Sequence, residues 1–511
     1  MADKKKTKTP LSDAAESFAD GGRISFHVPG HKGNADETGD LGRIFGENVL
    51  ARDLTELPGL DDLHNAGGVI REAEEKAAYL FGADETFFLA NGTTSGVAAA
   101  VAAVSSEKST VVIERCTHGC TTSGLVISGA SPYYIFDEYD RKTHLPAGIS
   151  AAEVEKALKL CENPCAVVLT HPGYYGTYSD LKAVVGAAHR AGVPVIADEA
   201  HGAQMMFTGQ HIPTAMEAGA DISVQSTHKM LGSLTQSSML HVQGSLVDRK
   251  KLKFFINMMT STSPSYLLTS SLDAVRGFME TDGERRWHEI AEAVERTAGK
   301  IGSIPGIKCC RRFSGSGGPS HDIEGSRLLV TAADMGISGR ELEKILAEEY
   351  RIDAEFSDLM YVVLLAGTGS RQSDFDALEE ALQDISFKYS GGSAEQGKKT
   401  LSEQLDVYDR FYELRPSAEL TPRRAVYAGY AVLDREKAAG RVSASDISVY
   451  PPGIPAVRAG EVLSRDIIEY ISECAKFGFE FHGLAGYNTD GEAEFFCAED
   501  ERDSIMLGSY F

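Results

Sequence analysis

Long apolar runs are missing from this sequence. The longest nearly apolar stretch, Gly96 to Val104 (GVAAAVAAV), is too short and too rich in alanine to span a bilayer. Positive charge is scarce: 50 lysines and arginines stand against 74 aspartates and glutamates, a net charge of −24. Such an acidic surface repels phosphate backbones and argues against a dedicated nucleic-acid binder. Cysteine is sparse too, eight in 511 residues. No disulfide scaffold is expected, and the thiols read as those of a cytoplasmic protein. The N-terminus, MADKKKTKTP, has charge but no apolar segment behind it, so no signal peptide is read there. What is present, 42 % apolar and 24 % charged residues, is ordinary globular composition.

At roughly 100–200 residues per domain, the length allows two to four domains. Residues 1–40 read as an N-terminal arm, polar and exposed over 1–20 or carrying a first helix. From Ile70 onward, helical stretches alternate with short β-branched runs. The spacing predicts helices over Ile70–Phe81, Gly96–Val104, Ala151–Cys161 and Leu181–Ala191. Strands are expected at Glu85–Leu89, Thr110–Ile113, Ala166–Thr170, Val193–Asp198 and Asp221–Val224. That alternation implies an α/β large domain over 41–270 with a mostly parallel sheet covered by helices. One long helix, Leu272 to Lys300, opens a smaller α+β domain over 271–390, with strands near Ser326–Thr331 and Tyr361–Ala366. Gly391 to Lys399 (GGSAEQGKK) starts a linker over 391–420, and a C-terminal α+β domain fills 421–511.

Two patterns point to chemistry that the rest of the chain does not support. Asp198-Glu-Ala-His201 has the letters of a helicase Walker-B motif, which needs an earlier phosphate loop. The nearest match, Gly392 to Lys399, comes after it and puts Lys399 where Ser or Thr should bind magnesium. Cys116-x3-Cys120 and Cys161-x3-Cys165 have metal-compatible spacing, but the tight turns of zinc ribbons are missing around both pairs. No metal is expected. Trp287, the one tryptophan, sits in a helix and reads as packing.

A third pattern has more support. Asn91-Gly-Thr-Thr-Ser95 precedes a helix, so the hydroxyls of Thr93, Thr94 and Ser95 and nearby N–H groups form an anion site. Asp198 ends a strand, and Lys229 follows the next one, in Ser226-Thr-His-Lys229. A phosphate anchor, a carboxylate and a lysine in this order suit pyridoxal phosphate. The lysine forms the Schiff base, the carboxylate pairs with the pyridinium nitrogen and the helix start holds the phosphate.

With these stretches, the chain resembles the ornithine/lysine/arginine decarboxylase family of the aspartate-aminotransferase fold. Phe26-His-Val-Pro-Gly-His-Lys32, Asp53 to Gly68, Asn91 to Ser95, Gln225 to Met230 (QSTHKM) and Tyr450 to Glu461 (YPPGIPAVRAGE) carry the likeness. It is similar to the short form, because FHVPGHK already occurs at residue 26. The resemblance implies Lys229 as the Schiff-base lysine, Asp198 as the pyridinium partner and Ala200 as the small residue under the ring. It implies His118 stacked on the pyridine, and Thr93, Thr94, Ser226 and His228 around the phosphate, with Ser95 and His201 beside the cofactor. Thr262 matches a residue that reaches a phosphate in the partner subunit, so a homodimer with a shared active site is implied. Glu355 matches the acidic residue near the substrate's distal cation, with Asp358 second and His27 and His31 lining the same pocket.

Departures from the family pattern are Gly119-Cys120 for Lys-Ser, Gln204 for a histidine, Met360-Tyr361 for Tyr-Asn, and Phe481-His-Gly483. None touches the lysine, the aspartate or the phosphate turn. Taken without the resemblance, His118 reads as a loop histidine, Glu355 and Asp358 as solvated carboxylates, and His27 and His31 as parts of a turn. The activity implied is decarboxylation of a basic L-amino acid, arginine ahead of lysine and ornithine, giving CO2 and an amine such as agmatine. Lys229 and His228 are the candidates for returning a proton to Cα. The alternatives are another reaction of the same cofactor, transamination or C–C cleavage, and a catalytically quiet cofactor-binding paralogue.

Overall fold

The structure, a computed structural model, describes residues 7–314, 320–389, 394–450 and 453–499. Seven strands build the large sheet region: β1 (Glu85–Leu89), β2 (Thr110–Glu114), β3 (Ser131–Ile135), β4 (Pro164–Thr170), β5 (Val195–Asp198), β6 (Ile222–Gln225) and β7 (Ser238–Val242). The helices that matter most are α1 (Pro10–Ala19), α2 (Val69–Phe81), α3 (Gly92–Val104), α4 (Cys120–Ser128), α5 (Ala151–Leu160), α6 (Leu181–Arg190), α7 (Tyr266–Phe278), α8 (Glu284–Ile301) and α9 (Ala394–Asp409). By packing, the chain divides into two units. The first comprises 1–103, 194–290 and 367–369, the second 104–193, 291–366 and 370–511, so the chain passes between them five times.

In the first unit the strand order is β1-β7-β6-β5. Strand β7 runs antiparallel to both neighbours, and β6 and β5 are parallel. Helix α3 lies against these strands and is buried along most of its length, which suits its alanine-rich, non-amphipathic sequence. Its approach depends on Gly96, where a Cβ would lie 2.6 Å from both Leu89 Cδ1 and Val224 Cγ1. Helix α2 is fixed to the sheet by a carboxylate: buried Glu74 accepts the Phe88 N–H at 3.0 Å.

The N-terminal segment is docked rather than a wholly exposed arm. Helix α1 buries Leu11 and Ala15, and the N–H groups of Leu11 and Ser12 donate to Asp273 Oδ2 at 2.9 and 3.2 Å. Asp273 pairs in turn with buried Arg276 at 2.6 Å. The long helix expected over Leu272–Lys300 is present, with one wide turn inside it. Helices α7 and α8 are separated by one wide turn, Met279–Gly283. There Gly283 packs so closely that a Cβ would lie 3.1 Å from both Met279 Sδ and Phe207 Cδ1. Trp287, on α8, is fully buried.

In the second unit β2 pairs with β4 and β3, both parallel. Of the five strand pairings described within the two units, three are parallel, so the mostly parallel α/β sheet holds, with β7 the exception. A four-stranded antiparallel sheet (Lys308–Cys310, Arg327–Thr331, Val362–Leu365, Phe356–Ser357) follows. The C-terminal part carries two three-stranded sheets and the helix Arg465–Lys476 around a core that includes Leu401, Leu405, Tyr408, Ile467, Ile471 and Phe495. Of the stretch expected as a linker, 394–409 is helix α9, and it supplies Leu401, Leu405 and Tyr408 to that core. Residues 391–393 lie outside the described residues, as do Pro451 and Pro452 of the turn-rich YPPGIP segment.

Burial pushes the Glu74 carboxyl up to about 8. The folded chain then holds this proton more tightly than the unfolded chain. The group's stabilising contribution is full below about pH 4.5 and is lost as the pH rises toward 8. Glu74→Gln keeps the acceptor and removes the ionisation. Between these limits its stability should gain on the wild type by about 1.4 kcal/mol per pH unit, read by chemical denaturation at several pH values.

Candidate active site

The ends of β1, β5 and β6 and the start of β7 meet at one edge of the first unit's sheet. Register fixes this: Ser238 opposes Leu89, Gln225 opposes Met239 and Asp198 lies beside Val224. After β1 the chain turns through Gly92, whose φ of +76° suits glycine, into α3. Thr93 is buried there. Its Oγ1 lies 2.8 Å from Ser226 Oγ and 2.9 Å from Ser238 Oγ. Thr94 is exposed, and Ser95 Oγ donates to the Gly92 carbonyl at 2.9 Å. A hydroxyl cluster and the N-terminus of a 13-residue helix therefore share one corner.

Asp198 is buried at the end of β5, and its Oδ1 accepts the Ala200 N–H at 3.2 Å. Ala200 and His201 are buried beside it. Gln204, the residue that departs from the family pattern, is buried and donates through Nε2 to the His201 carbonyl at 3.0 Å. After β6, Ser226 leads into the short helix Thr227–Met230. Lys229 projects from it, exposed, with Nζ 3.0 Å from His201 Nε2. The ammonium donates, so His201 Nε2 carries no proton there. His228 is half-buried, and its Nδ1–H donates to the Ser237 carbonyl at 2.8 Å. The helix end is held from a distant segment: Thr368 Oγ1 donates to the Met230 carbonyl at 3.1 Å. Arg286 Nε holds the Thr368 carbonyl at 3.0 Å.

The structure thus brings Thr93, Ser226, Asp198, Ala200, His201, His228 and Lys229 to one sheet edge. Ser238 and Thr368 join them, neither of which sequence reasoning found. Ser238 carried a faint signal as a polar residue at the mouth of an apolar strand; Thr368 carried none. Thr262 is exposed in the loop after the helix Arg249–Met259. His27 and His31 line a cavity of about 220 Å³ with Phe18, Lys32 and Asp53. His31 Nδ1 accepts the Gly33 N–H at 3.0 Å, so its Nε2–H donates to Asp53 at 3.1 Å. Both ring nitrogens are committed to the turn, which leaves His31 no atom for a substrate. His27 is half-buried and donates through Nδ1 to the Val28 carbonyl at 2.6 Å.

Below the same edge runs a buried polar chain across four strands. Glu199 accepts from Ala215 N (2.8 Å), Ser223 Oγ (2.6 Å) and Gln225 Nε2 (2.8 Å). Because the Gln225 amide donates to Glu199, its Oε1 must accept from His241 Nε2–H at 3.2 Å. His241 Nδ1 then accepts from Thr86 Oγ1 at 2.8 Å. Burial drives the His241 imidazole down to about 3, which keeps it neutral, and pushes Glu199 up to about 7 against the pull of its donors.

The second unit holds the remaining expected residues. His118 is exposed on the loop between β2 and α4, with Nδ1 accepting the Cys120 N–H at 3.1 Å. Glu355 is exposed, while its backbone N–H donates to the Val363 carbonyl at 3.0 Å. Asp358, expected as a second substrate contact or a solvated carboxylate, is neither. It is fully buried, with Oδ2 accepting from Tyr175 OH at 2.6 Å and Oδ1 from the N–H groups of Met360 and Tyr361 at 2.7 and 2.6 Å. Its oxygens are committed to the strand turn, and burial raises its carboxyl above the usual range. Cys116 and Cys120 are buried, with burial and nearby Asp137 pushing the Cys116 thiol up. Among the described residues no three His, Cys, Asp or Glu side chains are gathered to hold a metal ion.

Comparison with known proteins matches residues 9–315 to the Orn/Lys/Arg decarboxylase major domain and 404–497 to the C-terminal domain of the same family. The chain belongs to the Orn/Lys/Arg decarboxylase family. An arginine decarboxylase of Bacillus subtilis is 34 % identical over 479 residues, covering 93 % of this chain and 95 % of that protein. One from Bacillus anthracis is 34 % identical over 476 residues, with 93 % and 95 % covered. The solved lysine decarboxylase LdcF of Francisella novicida superposes with a TM-score of 0.84 at 18 % identity, over 96 % of this chain and 81 % of that one. That last likeness shows the fold, which is the one expected from the sequence. Family membership makes this chain a carboxy-lyase of the decarboxylase type.

The buried chain generates a test. Gln225→Leu leaves His241 Nε2–H without its acceptor and removes one donor from Glu199. Two buried groups left short should lower stability by roughly 2–5 kcal/mol, read as a shifted denaturation midpoint.

Proposed function

We propose that this decarboxylase acts on arginine, using pyridoxal phosphate held at the sheet edge of the first unit. The observation that carries the reading is the exposed Lys229 amine beside His201, just after the strand next to the one that ends in Asp198. The donor set suits the cofactor. The α3 N-terminus with the Thr93, Ser226 and Ser238 hydroxyls offers donors for a phosphate, and Asp198 offers a buried carboxylate for a ring nitrogen. When bound, pyridoxal phosphate supplies an electron sink that lets the substrate's carboxylate leave Cα as CO2. Lys229 would hold the cofactor through Nζ, with His201 Nε2 placed to take the ammonium proton. Asp198 would hold a proton at the ring nitrogen by charge pairing, which deepens the sink. Ala200 would be the small residue beside the ring, and the family resemblance assigns His118 to the cofactor as well. Lys229 or His228 would return a proton to Cα.

The preference for arginine is supported by the relatives. The curated arginine decarboxylases are 34 % identical over more than nine-tenths of this chain, whereas the Hafnia alvei lysine decarboxylase is 24 % identical. The exposed Glu355 carboxylate is the partner we assign to the guanidinium. A homodimer sharing its active sites through Thr262 fits the exposed apolar side chains of Ile24, Phe26, Val28, Ile44 and Phe45. Eight free thiols and the absence, among the described residues, of any helix long and apolar enough to cross a membrane accord with a cytoplasmic enzyme.

CO2 release from arginine, lysine and ornithine, measured side by side, should be greatest for arginine. A keto acid as product would overturn the reaction. Lys229→Ala should abolish both turnover and the visible absorbance of the bound cofactor while remaining folded, and turnover near the wild-type rate would remove Lys229 from its role.

Glu355→Gln should lower kcat/KM for arginine by about 30- to 1,000-fold, the loss of a charge-assisted contact. The effect on a neutral analogue of equal length should be smaller. Equal losses would make Glu355 a solvated carboxylate.

A further inference from the structure

In the second unit part of a stretch that carries the family likeness, Tyr450 to Glu461, meets the loop of His118, and the decarboxylation chemistry proposed above uses only the loop. The loop 115–119 presents His118. The stretch Ile454 to Glu461, from the C-terminal part of the chain, packs against that loop through two buried guanidinium groups. Arg458 is fully buried. Its Nη2 donates to the Arg115 carbonyl at 3.1 Å, the Thr117 carbonyl at 2.7 Å and Thr117 Oγ1 at 3.0 Å. Its Nη1 donates to Thr122 Oγ1 at 2.9 Å, and that hydroxyl donates to Asp446 Oδ2 at 2.8 Å. Arg115 reaches back in the opposite sense, donating through Nη2 to the Ala456 carbonyl at 3.0 Å and to Glu461 Oε2 at 2.9 Å. Glu461 Oε2 also accepts the Arg458 N–H at 2.7 Å. Both guanidinium groups lie over the Tyr134 ring, at 5.0 and 5.4 Å.

The backbone before His118 and the Thr122 hydroxyl after it are therefore held by the C-terminal part of the chain. A loop carrying an exposed histidine has few contacts of its own and samples many orientations. Here the carbonyls of residues 115 and 117, and the hydroxyls of 117 and 122, converge on one planar fork. A lysine offers a single point charge and cannot match that geometry.

We propose that Arg458 is a positioning residue for His118, through which the C-terminal domain holds the loop that carries the imidazole. The proposal rests on the reading of His118 as a residue that serves the cofactor, so the test separates the two. Hydrogen exchange of the full-length holoenzyme reports the clamp directly, whatever His118 does. In Arg458→Lys, amides 116–121 should exchange about tenfold faster while those of the helix Arg465–Lys476 are unchanged. The same variant should lower kcat about 10- to 100-fold with KM within about threefold. In a His118→Ala background, Arg458→Lys should cost less than about twofold more, because the clamp then has nothing to aim. Unchanged exchange at 116–121, or equal losses of kcat in both backgrounds, overturns the positioning role. A His118→Ala enzyme with wild-type kcat overturns only the reading of His118, and the exchange result still decides whether Arg458 holds the loop. If Arg458→Lys does not fold, Thr117→Val takes its place. It removes one acceptor, and about threefold faster exchange supports the clamp while none overturns it.

Discussion

A buried polar group in a sheet must find a partner, and in the first unit one chain of partners satisfies several strands at once. Thr86, His241 and Gln225 stand on β1, β7 and β6, Glu199 directly follows the end of β5, and each link dictates the next. Glu199 can only accept, so the Gln225 amide must face it. The amide oxygen then requires Nε2–H on His241, and Nδ1 requires the Thr86 hydroxyl proton. No member can turn without leaving a neighbour unsatisfied. The chain thus fixes the registration of the strands whose ends carry Thr93, Asp198, Ser226 and Lys229, and Glu199 is the covalent neighbour of Asp198.

Buried carboxylates elsewhere show how much the surroundings decide. Glu74 has one backbone donor and is pushed up to about 8; Glu199 has three donors and reaches about 7. In both, burial is the largest cause, and donors only moderate it. Asp358, with three donors, does structural work at a strand turn rather than recognising a cation.

The trio of phosphate turn, Asp198 and Lys229 was legible because each member sits at the end of a local element, and local elements follow from periodicity. The strands around it were legible for the same reason. Asp358 was misread because its decisive partner, Tyr175, is 183 residues away and no local pattern reports it. Thr368 escaped notice for the same reason. The helix over 394–409 was hidden behind glycine- and lysine-rich residues, although Leu401, Leu405 and Tyr408 carry the spacing of one buried face. The wide turn between α7 and α8 is where Gly283 packs closely against Phe207, a contact that sequence spacing does not encode. Arg458 and Glu461 lay inside a stretch singled out by resemblance, but only the folded chain shows that they grip the loop of His118.

The chain's five passages between its two units bear on how such an enzyme can change over time. The smallest piece, residues 367–369, belongs with the unit that carries Lys229, and Thr368 holds the carbonyl of Met230. Neither unit is a continuous stretch of gene. A single recombination event cannot carry either one as a cassette into another scaffold, nor bring in a foreign substitute for it. Exchange of a whole unit would need several simultaneous crossovers, whereas substitution within an intact chain leaves both units whole.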